Sequence, residues 1–253
     1  MTISVFCLFH SSYINNYDTV KSNNFYKEGK TVTLEILYED NHVIAVTKPN
    51  NIPVQADDSN DKDMLTIVKE YIKEEYNKPG NVFLGLVHRL DRPVGGAIVF
   101  AKTSKAASRL SNEIRKNTFE RNYVTVVEGH LKSNGTLKDY LVKNRKTNTS
   151  FVASKGAKDA KHAVLEYKTI GLDEALSLLE VKLHTGRSHQ IRVQLSNQNA
   201  PIFGDQRYNK NSKVGEQIAL WSSEIKFKHP TKDEVITVTS NPPNRYPWNR
   251  FTN

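Results

Sequence analysis

An aspartate between two arginines marks the first part of this 253-residue sequence that could do chemistry. Asp91 lies in the segment Leu86 to Gly96, between Arg89 and Arg92, and a proline and two glycines follow it. Because a nearby guanidinium lowers the pKa of a carboxyl group, we expect Asp91 to be ionised and able to act as a base or a nucleophile. The glycines permit a sharp turn or the close approach of a ligand. An ion pair that only braces a turn is the alternative interpretation.

A second segment combines a turn, Thr185 to Ser188, with a short helix predicted from Ser188 to about Asn197. The first amides of such a helix can bind a phosphate. His189 and Arg192 are three residues apart and would share one face of the helix. If Arg192 faces inward it needs a carboxylate partner, and Asp91 is the candidate. An exposed basic helix face is the alternative, but it would leave Asp91 unexplained.

The spacing of the remaining reactive residues argues against metal and cofactor chemistry. His88, His184 and His189 could be ligands, but no HxH, HExxH or Cys/His spacing accompanies them, so we expect no metal. A metal-dependent RNA hydrolase built on His88, His184 and Asp91 is the alternative. The sequence contains neither GxxxxGK[ST] nor GxGxxG after a strand, so we expect no nucleotide cofactor. The single cysteine, Cys7, excludes a disulfide framework and indicates a reducing compartment.

The net charge of +9 is distributed unevenly along the chain. Residues 1–85 contain 8 Lys+Arg against 12 Asp+Glu, whereas residues 86–253 contain 28 against 15. A basic later region favours a polyanionic partner such as RNA, and a solvated lysine surface is the alternative. No apolar run approaches the roughly 20 residues of a membrane span, and no signal peptide is recognisable. We therefore expect a soluble, cytoplasmic protein without a membrane partner, and a monomer by default.

Apolar periodicity predicts many strands and few helices, which is typical of an α+β fold around a mostly antiparallel or mixed sheet. Residues 1–32 show no clear period and are interpreted as an extension, and the basic segment Lys143 to Lys161 is interpreted as a loop. Helices are predicted after Asp63 to about Tyr76 and after Thr103 or Ser104 to about Asn117. Strands are predicted at 34–38, 42–46, 97–101, 121–128, 163–170, 176–183, 217–225 and 235–239.

Over about residues 34–240 the sequence resembles the RluA family of RNA pseudouridine synthases, which modify ribosomal and transfer RNA. The chain departs from the family pattern where Val94-Gly95 replaces Thr-Ser and where Asn51 replaces the glycine of KPxG. Because asparagine tolerates a left-handed conformation, we expect the turn at Asn51 to survive. The motifs that carry the resemblance are, in chain order, Leu37-Tyr38-Glu39-Asp40 through Lys48-Pro49, His88-Arg89-Leu90-Asp91 with Gly96, Arg121-Asn122-Tyr123-Val124, Thr185-Gly186-Arg187-Ser188-His189-Gln190-Ile191-Arg192, and Pro201-Ile202-Phe203-Gly204-Asp205.

The resemblance implies a pseudouridine synthase catalytic domain over residues 33–253, with no S4 RNA-binding domain in residues 1–32. It implies isomerisation of a specific uridine in structured RNA, with ribosomal RNA favoured and transfer RNA also a candidate. The N1–C1′ bond would break, the uracil would rotate, and C5 would bond to C1′. Since the bonds broken and made are similar in kind, no cofactor, metal or energy source is required. A non-catalytic RNA-binding or ribosome-assembly factor on the same fold is the alternative.

The resemblance also assigns roles in catalysis to three residues. Asp91 would be the essential carboxylate, either attacking covalently or removing the C2′ proton. Arg192 would pair with Asp91 and keep it ionised. Tyr123 would stack on the uracil and help to remove the C5 proton, although Tyr140 and Tyr167 are other candidates for this role.

Four further residues are predicted to contact RNA. A base inside folded RNA must be flipped out before it can react, and the resemblance implies that Arg89 assists this step. Lys48, Arg187 and His189 would contact nearby phosphates or the base, or else serve the structure.

Overall fold

The structure is a computed structural model that describes residues 21–27 and 30–251, with side-chain environments from residue 34 onward. These residues form two compact units. We call residues 21–27, 30–120 and 222–241 the N-terminal unit, and residues 121–221 and 242–251 the C-terminal unit. The assignment of residues 33–253 to one catalytic domain stays a prediction.

Most of the elements are strands, as the sequence predicts. In chain order they are β1 (Lys21–Lys27), β2 (Lys30–Glu39), β3 (Val43–Lys48), α1 (Met64–Glu75), β4 (Gly85–Leu86), β5 (Gly95–Ala101), α2 (Ser104–Lys116), β6 (Glu120–Glu128), β7 (Asn134–Asn144), β8 (Thr149–Ala153), β9 (Lys161–Leu172), β10 (Leu176–Leu183), α3 (Gln190–Asn197), β11 (Leu220–Lys228), β12 (Val235–Thr239) and a 3₁₀ turn (Trp248–Arg250).

In the N-terminal unit neighbouring strands follow the order β1-β2-β3-β5-β11, with β12 beside β11 and β4 beside β5; Ser222 is the first residue of β11 in this unit. All seven residues of β5 are buried, which explains why its sequence is a continuous apolar and glycine run rather than an alternating one. One core cluster packs β3 and β5 against Ala106 and Leu110 of α2 and against the stacked rings of Phe119 and Phe227. This core supports the loop that carries the candidate aspartate.

Both helices of this unit are confirmed, with capping residues where the sequence predicts them. The Asp63 carboxylate accepts the backbone N–H of Thr66 at 3.0 Å and starts α1. The Thr103 hydroxyl accepts the N–H of Ala106 at 3.2 Å and starts α2, which ends at Asn117 in the left-handed conformation. Side-chain caps satisfy amides that have no partner within a helix, and asparagine is one of the few residues that adopt the terminal conformation readily.

Lys48 lies at the end of β3 and is completely buried, opposite Gly96 of β5. Its ammonium group donates hydrogen bonds to the carbonyl oxygens of Pro49 at 2.9 Å, Ile52 at 2.7 Å and Arg92 at 2.9 Å. A buried cation needs such acceptors to replace its lost hydration. Lys48 therefore joins the turn after β3 to the backbone that follows the candidate aspartate, and a contact with RNA stays a prediction.

Backbone conformation explains why asparagine is tolerated at position 51 and glycine is required at position 96 of these loops. The turn expected to survive at Asn51 is confirmed, since Asn51 has a φ of 64°. Gly96 has a φ of 112°, and a Cβ atom there would collide with the backbone of Ser222. Gly96 is thus required for the close approach of a neighbouring strand of the protein.

In the C-terminal unit the strands follow the order β6-β10-β9-β7-β8, and each neighbouring pair is antiparallel. Helix α3 lies against β7 and β8. Leu141, Ala163 and Val193 form a small core there, with Val152 and Tyr208 packed against it. The expected α+β class, with a mostly antiparallel sheet, is confirmed.

Three expectations about local structure are corrected. The described residues of the predicted extension include a strand, β1, which starts at Lys21 and pairs with β2; residues 1–20 lie outside the described residues. The basic segment Lys143 to Lys161 is not a continuous loop, since β8 within it pairs with β7. Helix α3 begins at Gln190 rather than Ser188, because His189 has a left-handed φ of 53°.

No helix in the described part of the chain is both long and apolar enough to span a membrane.

The contacts of Lys48 predict the effect of replacing it. Lys48→Met should lower the free energy of unfolding by about 3 kcal/mol, because it leaves three buried or half-buried carbonyl oxygens without their donor. Urea denaturation of purified protein measures this difference.

The matched control is Lys69→Met, an exposed residue of α1, which should change stability by less than about 0.5 kcal/mol. Unchanged stability of Lys48→Met together with weakened RNA binding would contradict the structural role and favour the predicted RNA contact.

Candidate active site

The loop that carries Asp91 is fixed from both sides. His88 is buried, and its Nε2 accepts the backbone N–H of Val99 at 3.0 Å while its ring lies 5.4 Å from that of Phe119. Asp91 is half-buried, and its carbonyl oxygen accepts the N–H of Val94 at 3.0 Å. His88 therefore holds the start of the loop on β5, and a turn follows Asp91.

The two arginines beside Asp91 have different environments. Arg89 is exposed. Arg92 binds two carboxylates of residues 57–61, here called the acidic loop, with Nη1 3.3 Å from Asp57 Oδ2 and Nη2 bonded to Asp61. Arg92, which directly follows Asp91, thus attaches the Asp91 loop to the acidic loop. The exposure of Arg89 is compatible with the predicted RNA contact, which stays a prediction.

Arg192 is buried, as an inward-facing residue of α3, with 3% of its surface exposed. Its Nε and Nη2 donate to the two carboxylate oxygens of Asp205, at 2.8 Å and 2.7 Å, and Asp205 is only 1% exposed. The guanidinium also lies over the ring of Tyr208, with Cζ 5.2 Å from the ring centre. The sequence predicts that Arg192 needs a carboxylate but does not identify Asp205. The predicted pairing of Arg192 with Asp91 stays a prediction.

Asp205 is itself held by the turn Pro201 to Asn209. Its carboxylate accepts the N–H of Arg207 at 3.1 Å, and its own N–H donates to the carbonyl of Ile202 at 3.2 Å. Gly204 has a φ of 71°, and a Cβ atom there would collide with backbone atoms. The PIFGD motif therefore forms a tight turn that presents the Asp205 carboxylate to Arg192.

The turn before α3 is organised by side chains. Gln190 Oε1 accepts the Thr185 hydroxyl at 2.8 Å and the Arg187 N–H at 3.0 Å. Arg187 is exposed, and its Nε donates to the carbonyl of His162 at 2.8 Å. His189 is buried rather than displayed, with Nδ1 2.8 Å from the Tyr208 hydroxyl. Contacts of Arg187 and His189 with RNA stay predictions.

The three candidate tyrosines differ in their surroundings. Tyr123 is buried on β6, opposite Val181 of β10. Tyr167 packs over Gly135, where a Cβ atom would lie 2.7 Å from the tyrosine ring. Tyr140 is half-buried, with its ring 5.3 Å from that of His162. The role of Tyr123 against uracil stays a prediction.

The net charge is associated with one of the two units. Residues 121–221 and 242–253 contain 18 Lys+Arg and 9 Asp+Glu, a net charge of +9, and the rest of the chain contains 18 of each. The C-terminal unit therefore accounts for the whole net charge. The sequence predicts a basic region from residue 86 onward, and most of its excess positive charge belongs to the C-terminal unit, which begins at Arg121.

Metal-ligating residues do not cluster in the described part of the chain. Within residues 21–27 and 30–251, no group of three or more His, Cys, Asp or Glu side chains could hold an ion. Of the histidines considered as ligands, His184 has Nε2 3.1 Å from Glu166 Oε1, and His88 and His189 make the contacts given above.

Comparisons with known proteins identify the family. The family model described as RNA pseudouridylate synthase matches residues 42–197. An uncharacterized RNA pseudouridine synthase, YhcT, of Bacillus subtilis is 33% identical over 241 residues, covering 90% of this chain and 78% of the relative. The tRNA pseudouridine synthase C of Vibrio parahaemolyticus is 31% identical over 229 residues, covering 83% and 91%. The ribosomal large subunit pseudouridine synthase D of Xanthomonas campestris is 29% identical over 223 residues, covering 83% and 66%.

Solved structures of pseudouridylate synthases have a fold similar to that of this chain. The human RNA pseudouridylate synthase domain containing 4 protein superimposes with a TM-score of 0.69 at 20% identity, covering 82% of this chain and 88% of that one. This likeness confirms the pseudouridine synthase fold that the motifs imply. With a family match over more than half of its length, the chain belongs to the RNA pseudouridylate synthases, the enzymes that isomerise uridine in RNA to pseudouridine.

Proposed function

We propose that this chain converts a specific uridine of structured RNA to pseudouridine, with Asp91 as the essential carboxylate. Ribosomal RNA is the favoured substrate, and transfer RNA is the second candidate. One relative is named for transfer RNA and another for the large ribosomal subunit, which supports these two candidate substrates. The matched family region includes Asp91, Tyr123 and Arg192, which supports carrying the three roles over to these positions.

The observation that carries the proposal is the environment of Arg192. Two short hydrogen bonds to Asp205 fix the guanidinium in the interior. A guanidinium has five N–H groups in a rigid plane, so one carboxylate can fix its orientation while other N–H groups serve another acceptor. We propose that Asp91 is that acceptor during the reaction, and that Arg192 keeps it ionised and oriented.

In the proposed reaction the N1–C1′ bond of the uridine breaks, the uracil rotates, and a C5–C1′ bond forms. Asp91 acts either as a nucleophile or by removing the C2′ proton. The proton on C5 is then removed with the help of Tyr123, and N1 gains a proton, so atoms and charge balance without a co-reactant. Because only an extruded uridine is accessible, we propose that the exposed Arg89 supports the flipped-out state.

The charge distribution supports RNA as the partner. A unit with a net charge of +9 attracts the phosphate backbone through a sequence-independent electrostatic interaction that weakens as salt rises. Choice among uridines then depends on the RNA shape around the flipped base, since single-stranded and irregular regions are those whose bases can be extruded.

The proposed role of Asp91 predicts a separation of binding from turnover. Asp91→Asn keeps the shape of the side chain but removes its charge, so we expect loss of turnover by a factor of at least about 10³ with RNA affinity changed by less than about threefold. Tritium release from RNA labelled at uridine C5 measures turnover, and filter binding measures affinity.

The matched control is Asp58→Asn, which removes an exposed carboxylate from the acidic loop and should leave turnover unchanged. Tritium release by Asp91→Asn at the wild-type rate would refute the assignment. RNA binding without tritium release by the wild-type protein, on both ribosomal and transfer RNA, would favour a non-catalytic RNA-binding factor.

The Arg192–Asp205 pair predicts a large effect on stability. Arg192→Leu should lower the free energy of unfolding by about 3–5 kcal/mol, since it leaves the Asp205 carboxylate buried and uncompensated. The double variant Arg192→Leu/Asp205→Asn should lose less free energy of unfolding than the two single variants lose together, because it removes both charges.

Urea denaturation of the four proteins in this double-mutant cycle provides the measurement. Additive losses would show that the pair contributes no coupling energy and would remove the basis for treating Arg192 as a fixed group.

A further inference from the structure

Arg121, the second residue of β6, is a buried cation that the proposed mechanism does not use. It is 8% exposed, and its Nε has no hydrogen-bond partner among the described residues. Leaving a charged donor buried without a partner lowers the stability of the fold, so native proteins rarely retain one without a reason. Arg192, by contrast, is buried with a carboxylate partner, since it binds Asp205 through two short hydrogen bonds.

The guanidinium of Arg121 lies against the turn that leads into α3. A Cβ atom on Gly186 would lie 2.7 Å from Arg121 Nη1 and 3.7 Å from Cζ. Glycine at this position of the TGRS turn therefore leaves room for the arginine. Side chains alternate along a strand, so Arg121 and Tyr123 point to the same side of β6.

The carboxylates of the C-terminal unit whose contacts are described bind other groups. None of these contacts gives Arg121 a counter-charge, which leaves a ligand as the group that could supply one. The pairs are Asp205 with Arg192, Asp173 with Arg250, Asp139 with Gln194, Glu166 with His184, Glu128 with Asn209 and Asn211, and Glu216 with Ser212 and the backbone N–H of Lys213.

We propose that Arg121 binds a phosphate group of the substrate RNA close to the uridine that Tyr123 contacts. The inference rests on the proposed function, because it places Tyr123 beside the reacting base. A phosphate supplies the negative charge that offsets the burial of a guanidinium, and its oxygens match the planar fork of arginine. A carbonyl oxygen of uracil would supply one acceptor and no negative charge, whereas the buried Lys48 is surrounded by three carbonyl oxygens.

The proposal predicts that removing the charge stabilises the RNA-free protein. Arg121→Met keeps a long apolar side chain and removes an uncompensated buried charge, so its melting temperature should rise by about 2–4 °C. The exposed Lys168→Met, which removes the same charge from β9, should leave the melting temperature unchanged. A second variant, Arg121→Gln, tests whether methionine itself fits poorly; destabilisation of both variants would show that Arg121 is structural and would overturn the proposal.

The same variant should bind RNA more weakly. With unfractionated tRNA and fragments of large-subunit ribosomal RNA as probes, Arg121→Met should lose about tenfold in affinity near 0.1 M salt. The slope of log K against log salt should become shallower by about 0.7–0.9, as expected for the loss of one phosphate contact. Weaker binding with an unchanged slope would indicate a contact with a base and overturn the phosphate assignment, and unchanged binding would overturn the contact altogether.

Inorganic phosphate provides an independent probe of the site. It should raise the melting temperature of the wild-type protein by a measurable amount and that of Arg121→Met by less, since ligand binding to the folded state stabilises it; equal shifts would count against a phosphate site at Arg121. None of these measurements requires turnover, and all can be repeated with Asp91→Asn. Failure of the proposed catalysis would appear as absent tritium release by the wild-type protein and is therefore distinguished from failure at Arg121.

Discussion

Burial of positive charge is the constraint on which the arrangement of this site depends. Among the described lysines and arginines, Lys48, Arg121 and Arg192 are buried. A cation in the interior needs acceptors or a counter-charge, and the group that supplies them becomes fixed as well. Lys48 fixes loop backbone through three carbonyl oxygens, and Arg192 is fixed by Asp205. The rigidity of the motifs follows from these requirements.

The two units supply different parts of the proposed chemistry. The N-terminal unit, which is close to neutral, contributes Asp91 on a loop held by Lys48 and by the buried His88. The C-terminal unit carries the net positive charge and contributes Tyr123 and Arg192. A carboxylate that must be ionised and a surface that must attract phosphate are thus built on separate parts of the chain, each with its own core.

Local features were predictable from the sequence because their causes are local. Asp63 and Thr103 cap helices through bonds to amides three residues ahead, and Asn51 adopts a conformation that its own side chain tolerates. The prediction failed where pairing or contact with another element decides the outcome. Residues 149–153 lie in a polar, basic segment, yet they form a strand because β7 is available as a partner. His189 interrupts the predicted helix start while its ring contacts Tyr208.

By itself the sequence determined the fold class, the family and the order of the motifs, including the need of an inward-facing Arg192 for a carboxylate. Only the tertiary structure decided that Asp205 meets this need, that Lys48 is surrounded by carbonyl oxygens, and that Arg121 is buried beside Gly186. The physical reason is that packing brings in partners from other parts of the chain: Arg92 lies 44 residues from Lys48, and Asp205 lies 13 residues from Arg192. A sequence pattern shows that a charge must be compensated, but only three-dimensional packing shows which group does so.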